Sequence, residues 1–336
     1  MTKPERLNNL DFIRFILAFG VVIHHIVGVQ NIPLMPGIPF NWVGGFIAIS
    51  GYLVTKSMEG SRGYGHFAWK RLLRVGPAFA VALALSVALG ATLMVELTWW
   101  ATMGLVQRPG LYNAPLWSLS VEEVLYALLA ASFASGMLRW KYRAWVVGAF
   151  LISAYWFDKI PVLPGLLGNY SLTMPYYFAA GVFLYCLKDT IKFSVPAALL
   201  CLALEVSRYS TLGAMPSSIT LPFYASPLLL AYGLITLGLY APPVIAWWSR
   251  IGDASFGIYV YHYPIMIWLA YQGVKDWRLL WVLPLVVLPL SFASWHLLEK
   301  PSLKLKDKKP RFPFGKSQQL TPEIVPMPAG ALSNDR

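Results

Sequence analysis

The apolar run from Leu10 to His25, LDFIRFILAFGVVIHH, carries Arg14 near its start and His24 and His25 at its end. Residues 14 and 25 are separated by three helical turns, so on a helix they share one face, about 16 Å apart at 1.5 Å per residue. His24 points about 100° away from that face. A lone helical histidine is ordinarily a satisfied core residue, and an arginine one turn into a span ordinarily snorkels to the interface. A histidine stacked over a buried arginine on one stripe instead suggests a proton acceptor with a cation at the far end of the same helix. Further along, Glu122 and Glu123 follow Trp117-Ser118-Leu119-Ser120. On an opposite-running helix they reach about the depth of His25. One of them is placed to pair with it, fixing its tautomer and favouring its imidazolium form. The alternative is a protonated glutamate hydrogen-bonded within the bundle.

The segment HFAWKRLLR (66–74) puts Arg71 and Arg74 three residues apart on one helical face. It reads either as a positive anchor at the inner membrane face or, with Lys70, as a bidentate grip on phosphate. His262 lies within YVYHYP (259–264), where Pro264 frees a backbone carbonyl, a feature that marks polar cavities. Glu299 and Lys300 read as an ordinary interfacial pair.

Helices must position these groups, and composition indicates their solvent. Of 336 residues, 57% are hydrophobic and 12% charged, with a mean hydropathy of +0.57. Soluble domains carry about 25% charged residues, so a disordered chain or an ordinary soluble fold is disfavoured. The net charge of +12 is read as positive residues kept on the cytoplasmic side of a membrane, not as a nucleic-acid surface. Cys186 and Cys201 sit in apolar runs and read as packing residues. No metal is expected.

The expectation is an all-α polytopic membrane helix bundle of about ten transmembrane helices. The apolar stretches run near 10–29, 40–58, 75–95, 116–137, 143–157, 171–187, 193–207, 220–240, 254–273 and 279–298. Most of the 27 Lys and Arg residues fall in alternate gaps, which places both termini in the cytoplasm. The first stretch is not a cleavable signal, because it carries Asp11 and Arg14 and has no small-residue cleavage site. Residues 97–115, with Trp99, Trp100 and Tyr112, read as an interfacial segment. Residues 1–300 form the membrane domain. Residues 301–336, opening with Lys304, Lys306, Lys308 and Lys309 and ending in Pro-rich polar sequence, read as a basic, disordered cytoplasmic tail.

Sorted by depth, the proton acceptor and its carboxylate lie toward the outer side and the arginines toward the inner side. A cytoplasmic donor bearing phosphates would anchor at Arg71, Arg74 and Arg14, and a flexible arm would carry its reactive group to His25. Coenzyme A thioesters have that shape. A proton-coupled transporter or flippase for a glycan or lipid also needs buried charges, and stays open as a second class.

The segments LDFIRFILAFGVVIHH (10–25), GFIAISGYLV (45–54), KRLLRVGPAFA (70–80), LWSLSVEEVLYALL (116–129), IGDASFGIYVYHYPI (251–265) and SFASWHLLEKPSLKLK (291–306) together resemble acyltransferase family 3. These are integral membrane acyltransferases typified by bacterial O-acetyltransferases of lipopolysaccharide and other surface glycans. The resemblance implies transfer of an acyl group, usually acetyl, from acetyl-CoA or another acyl-CoA to a hydroxyl of a glycan or lipid-linked saccharide at the bacterial inner membrane. It implies His25 as general base, or as a residue acylated first in a covalent relay. Glu122 would orient or charge His25, and Arg14, Arg71 and Arg74 would bind donor phosphates. Ser50, Trp117 and His262 would line the substrate cavity. This chain has Gly44, Gly45, Phe46 and Ile47 where the family often has an acidic residue and paired aromatics. After Glu123 it has Val124 and Leu125 where a polar residue and an aromatic are common. Both departures bear on acceptor or acyl specificity.

Overall fold

The structure, a computed structural model, describes residues 9–30, 40–106, 110–138, 143–157, 173–211, 225–243 and 245–308. These residues are helical and contain no strand. In chain order the helices are α1 (Leu10–Gln30), α2 (Trp42–Glu59), α3 (Tyr64–Ala88), the short α4 (Leu93–Ala101), α5 (Leu116–Ala134), α6 (Arg143–Phe157), α7 (Met174–Cys186), α8 (Val195–Thr211) and α9 (Ser226–Ile235). A π turn, Thr236–Tyr240, continues α9, and a 3-10 turn, Ala246–Arg250, follows. Next come α10 (Ser255–Tyr271) and α11 (Arg278–Ser294), which runs through a second π turn, Trp295–Glu299, into α12 (Lys300–Leu303).

Each expected apolar stretch overlaps a helix among the described residues, while residues 171–172 and 220–224 of two of them lie outside those residues. Among the described residues, four helices are by length and composition long and apolar enough to cross a membrane: Leu10–Gly28, Tyr64–Ala88, Leu116–Ala134 and Arg278–Leu303. Four more, Arg143–Ser153, Met174–Cys186, Val195–Ser207 and Ser226–Tyr240, are shorter apolar helices. The third helix begins at Tyr64 rather than near 75, since Gly76-Pro77 does not interrupt it. Lys70, Arg71 and Arg74 therefore belong to the helix itself and not to a preceding loop. The segment expected to be interfacial opens within α4. The first residues assigned to the tail are ordered: Trp69 Nε1 donates to the Leu305 carbonyl at 3.2 Å, and His66 Nε2 to that of Lys306 at 3.0 Å. Residues 309–336, where most of the tail lies, are outside the described residues, as is the N-terminal segment with Lys3 and Arg6.

In lipid, helix association depends on close van der Waals packing, because hydrocarbon tails are as apolar as leucine. The tightest approach is between α2 and α7. A Cβ on Gly51 would collide with the Phe178 carbonyl, and one on Gly181 with the Ala48 carbonyl. These glycines let the two backbones touch. One buried cluster gathers α2, α5, α7 and α9; a second gathers α1, α3, α10 and α11. Trp42, Val43 and Phe46, in the first turns of α2, pack against both and join them.

Pro264 lies inside α10 and leaves the Val260 carbonyl without its usual helical donor. Asn113 Nδ2 supplies the bond at 2.9 Å. The backbone amides of Tyr112 and Asn113 are in turn held by the carboxylate of Glu96 on α4, at 2.6 and 3.2 Å. Burial raises the Glu96 carboxyl above its ordinary value, against the opposite pull of these two amides. The α4–α5 loop is thereby fastened to α10 one turn before Pro264.

Gly51→Ala and Gly181→Ala should each force α2 and α7 apart, at about 1–3 kcal/mol for overpacking. The measurement is the thermal midpoint of the detergent-solubilised protein by size-exclusion chromatography. Unchanged midpoints for both variants would remove the close contact.

Candidate active site

The inner end of the site is built on a turn. Gly252 adopts φ +121°, and a Cβ there would collide with the Trp295 ring. The turn delivers Asp253 to the start of α10. Its Oδ1 accepts the Ser255 hydroxyl and, at 3.3 Å, the Ser255 amide. Its Oδ2 accepts Arg14 Nη1 from α1 and Arg74 Nη2 from α3. Burial alone would raise this carboxyl. The two guanidiniums and the Ser255 hydroxyl outweigh burial and hold it well below the usual carboxylate range.

Arg74 extends the series. Its Nη1 lies 3.8 Å from Glu299 Oε2, and its guanidinium sits 5.5 Å from the centre of the Trp295 ring. Glu299 is fully buried and accepts Ser294 Oγ at 3.2 Å, whose oxygen also meets Tyr261 Oη at 2.7 Å. This corrects the expected Glu299–Lys300 interfacial pair. The π turn inserts an extra residue into the helical repeat and rotates Glu299 inward, while Lys300 stays exposed. The result is an alternating ladder, Arg14–Asp253–Arg74–Glu299.

Arg71 stands outside the ladder. Among the described residues it has no carboxylate partner. Its Nη2 reaches Ser57 Oγ at 3.4 Å, and the Phe67 and Tyr126 rings flank it at 5.9 and 5.8 Å. Its buried Nε has no hydrogen-bond acceptor. A cavity of about 230 Å³ brings all three arginines together with Ser50, Glu122 and Tyr259. Guanidiniums in a half-apolar cavity, one lacking a counter-ion, suit a polyanion such as a phosphate-bearing donor.

Glu122 does not meet His25. Its carboxylate accepts the Ser50 hydroxyl from α2, and Ser50 Oγ lies 3.0 Å from Tyr126 Oη. The face of α5 that carries Glu122 turns to α2, not α1. Glu123, one residue on, falls on the exposed face. The partner of His25 is His262. His25 Nδ1 lies 2.8 Å from His262 Nε2, with the rings nearly parallel and 5.1 Å apart. Tyr263 meets His25 edge-on at 5.1 Å. His262 is fully buried, and its Nδ1 lies 3.0 Å from the Ile258 carbonyl. His24 is exposed.

Of the expected cavity-lining residues, Ser50 is in the cavity, while His262 and Trp117 are outside its lining. Trp117 packs against Gly104, in the turn after α4. Tyr259 lines the cavity; its ring is 6.4 Å from His262, and its hydroxyl meets Ser118 Oγ at 2.7 Å. Asp253, Tyr259 and Glu299 were not among the expected site residues. A signal for Asp253 exists in Gly-Asp-Ala-Ser before an apolar run, a helix-start pattern.

The family described as "Acyltransferase domain" (Acyl_transf_3) matches residues 7–298, which contain every site residue discussed above except Glu299. "Nodulation protein 10" of Rhizobium leguminosarum bv. viciae is 26% identical over 350 residues, covering 89% of this chain and 94% of that protein. No solved structure matches the chain.

Asp253→Ala should leave two guanidiniums facing each other and cost about 3–5 kcal/mol, as removal of one partner from a buried ion pair does. A fall in thermal midpoint reports it. The folded carboxyl lies below its unfolded value of about 3.9, so its stabilisation is present above that value and is lost as pH falls through the folded one. The gap in midpoint between wild type and Asp253→Asn should therefore narrow on acidification below about pH 4. A gap independent of pH would contradict the assignment.

Proposed function

Because the chain belongs to the acyltransferase family matched over residues 7–298, whose members are polytopic membrane enzymes, we propose that it moves an acyl group, most simply acetyl, from acyl-CoA to a hydroxyl of a glycan or lipid-linked saccharide. The observation that carries this reading is the placement of Arg14, Arg71 and Arg74 around one cavity at the end of α1 opposite His25. The two ends are about 16 Å apart along the helix, a span for a flexible thioester arm and not for a compact metabolite.

In this reading Arg71 grips donor phosphate with the nitrogens left free by the fold, and Arg14 and Arg74 add positive potential at the cavity wall. His25 accepts the proton of the acceptor hydroxyl as that oxygen attacks the thioester carbonyl. The carbon–sulfur bond breaks, and His25 returns the proton to the leaving thiolate, so the enzyme ends unchanged. About ten spans with both termini cytoplasmic would set the arginine end toward the cytoplasm, where acyl-CoA is made, in the inner membrane of a bacterium. Residues 1–300 would form the membrane enzyme and 301–336 its cytoplasmic tail.

Everted membrane vesicles given labelled acetyl-CoA should pass label to a glycan or lipid-linked sugar. His25→Ala should lower the rate by on the order of 10²–10⁴. Arg71→Gln should raise the donor KM by roughly 10–100-fold, the worth of a charged hydrogen bond, with kcat little changed. Normal transfer by His25→Ala would sink the mechanism. Movement of a glycan driven by a proton gradient, with no acyl-CoA consumed, would replace the enzyme by a transporter.

A further inference from the structure

We propose that His262 is a positioning residue of the reaction. It locks His25 in the tautomer that holds hydrogen on Nδ1 and leaves the lone pair on Nε2. The inference rests on His25 being the general base and assigns what makes it one.

The assignment follows from a one-way chain of hydrogen bonds. A carbonyl oxygen can only accept, so His262 Nδ1, 3.0 Å from the Ile258 carbonyl, must carry hydrogen. In a neutral ring His262 Nε2 is then an acceptor. His25 Nδ1, 2.8 Å away, must therefore donate to it. The remaining nitrogen, His25 Nε2, is left without hydrogen and able to take a proton. His262 is fully buried, and turning its ring over would set a carbon against the Ile258 carbonyl and break the chain at its anchor. The anchor is itself a helical carbonyl, one turn back on α10, so the orientation is set within one helix and passed to α1 by one bond.

The chemistry of the partner matters as much as its position. A carboxylate beside His25 would favour the imidazolium, which is no base at rest. A neutral imidazole acceptor orients the ring without charging it. Once His25 has taken the acceptor proton, its Nδ1–H becomes a charged donor, and the same bond strengthens as positive charge develops. The contact therefore stabilises the transition state more than the resting state. This accounts for the placement of Glu122 at Ser50, away from the histidine pair.

The test uses the full-length protein in vesicles, with three variants and one spectrum. His262→Leu should lower kcat by on the order of 10²–10⁴ while the donor KM stays near wild type. His262→Gln, whose amide oxygen can accept the Nδ1–H of His25, should recover about tenfold or more of that loss. Solid-state ¹⁵N spectra of the histidine-labelled wild type should show His25 with Nδ1 protonated and Nε2 bare. His262→Gln as inactive as His262→Leu, with both folded, would overturn the proposal. So would a wild-type His25 carrying hydrogen on Nε2, a readout that stands even if the leucine variant fails to fold. Normal transfer by His25→Ala would instead remove the underlying reading, whatever the His262 variants do.

Discussion

The carboxylate of Asp253 ties three helices into one site. It takes a guanidinium from α1, another from α3, and the hydroxyl and amide of Ser255 at the start of α10. Two unshielded guanidiniums this close in a low dielectric would repel strongly, so neither arginine could occupy its place without it. The tie also sets axial register. Helices α1 and α10 both leave it in the same direction, and about three turns on along α1, about two along α10, they meet again through His25 and His262. The geometry of the histidine pair is thus fixed from the opposite end of the helices that carry it.

Chemical character divides between these two levels. The arginine end is ionic and lines a cavity, with the buried Nε of Arg71 lacking an acceptor. The other end is the His25–His262 ring pair, and Tyr259 lines the cavity with its ring 6.4 Å from His262. Tight packing elsewhere serves this division. The glycines of α2 and α7 let those backbones touch beside Ser50, and the Glu96–Asn113 bonds fasten the Val260 carbonyl of α10, two residues before His262.

Periodicity and hydropathy made the helices legible, and the shared stripe of Arg14 and His25 followed from periodicity alone. What a helical repeat cannot encode is which neighbour a face meets. Glu122 was legible as a buried carboxylate on the inward face of α5, but its partner depended on whether α2 or α1 packs there. Asp253 was passed over because it sits in a short polar link between apolar runs, where charge is unremarkable. Glu299 was misplaced because a π turn leaves no mark in the sequence and shifts every later residue around the helix. The start of α3 was set late because its first turns, with Lys70, Arg71 and Arg74, are too charged to read as part of an apolar stretch. The ordered residues after Pro301 are held partly by their own backbone carbonyls, which side-chain composition does not report.

The alternating ladder has an electrical consequence. A potential of 100 mV does about 2.3 kcal/mol of work on a unit charge carried across a whole bilayer. In Arg14–Asp253–Arg74–Glu299 guanidiniums and carboxyl groups alternate over a few ångströms. Voltage across the membrane therefore finds less net charge to pull on than two bare guanidiniums would present. A protein set in an energised membrane can hold two arginines and two carboxylates within its helices without becoming a voltage sensor.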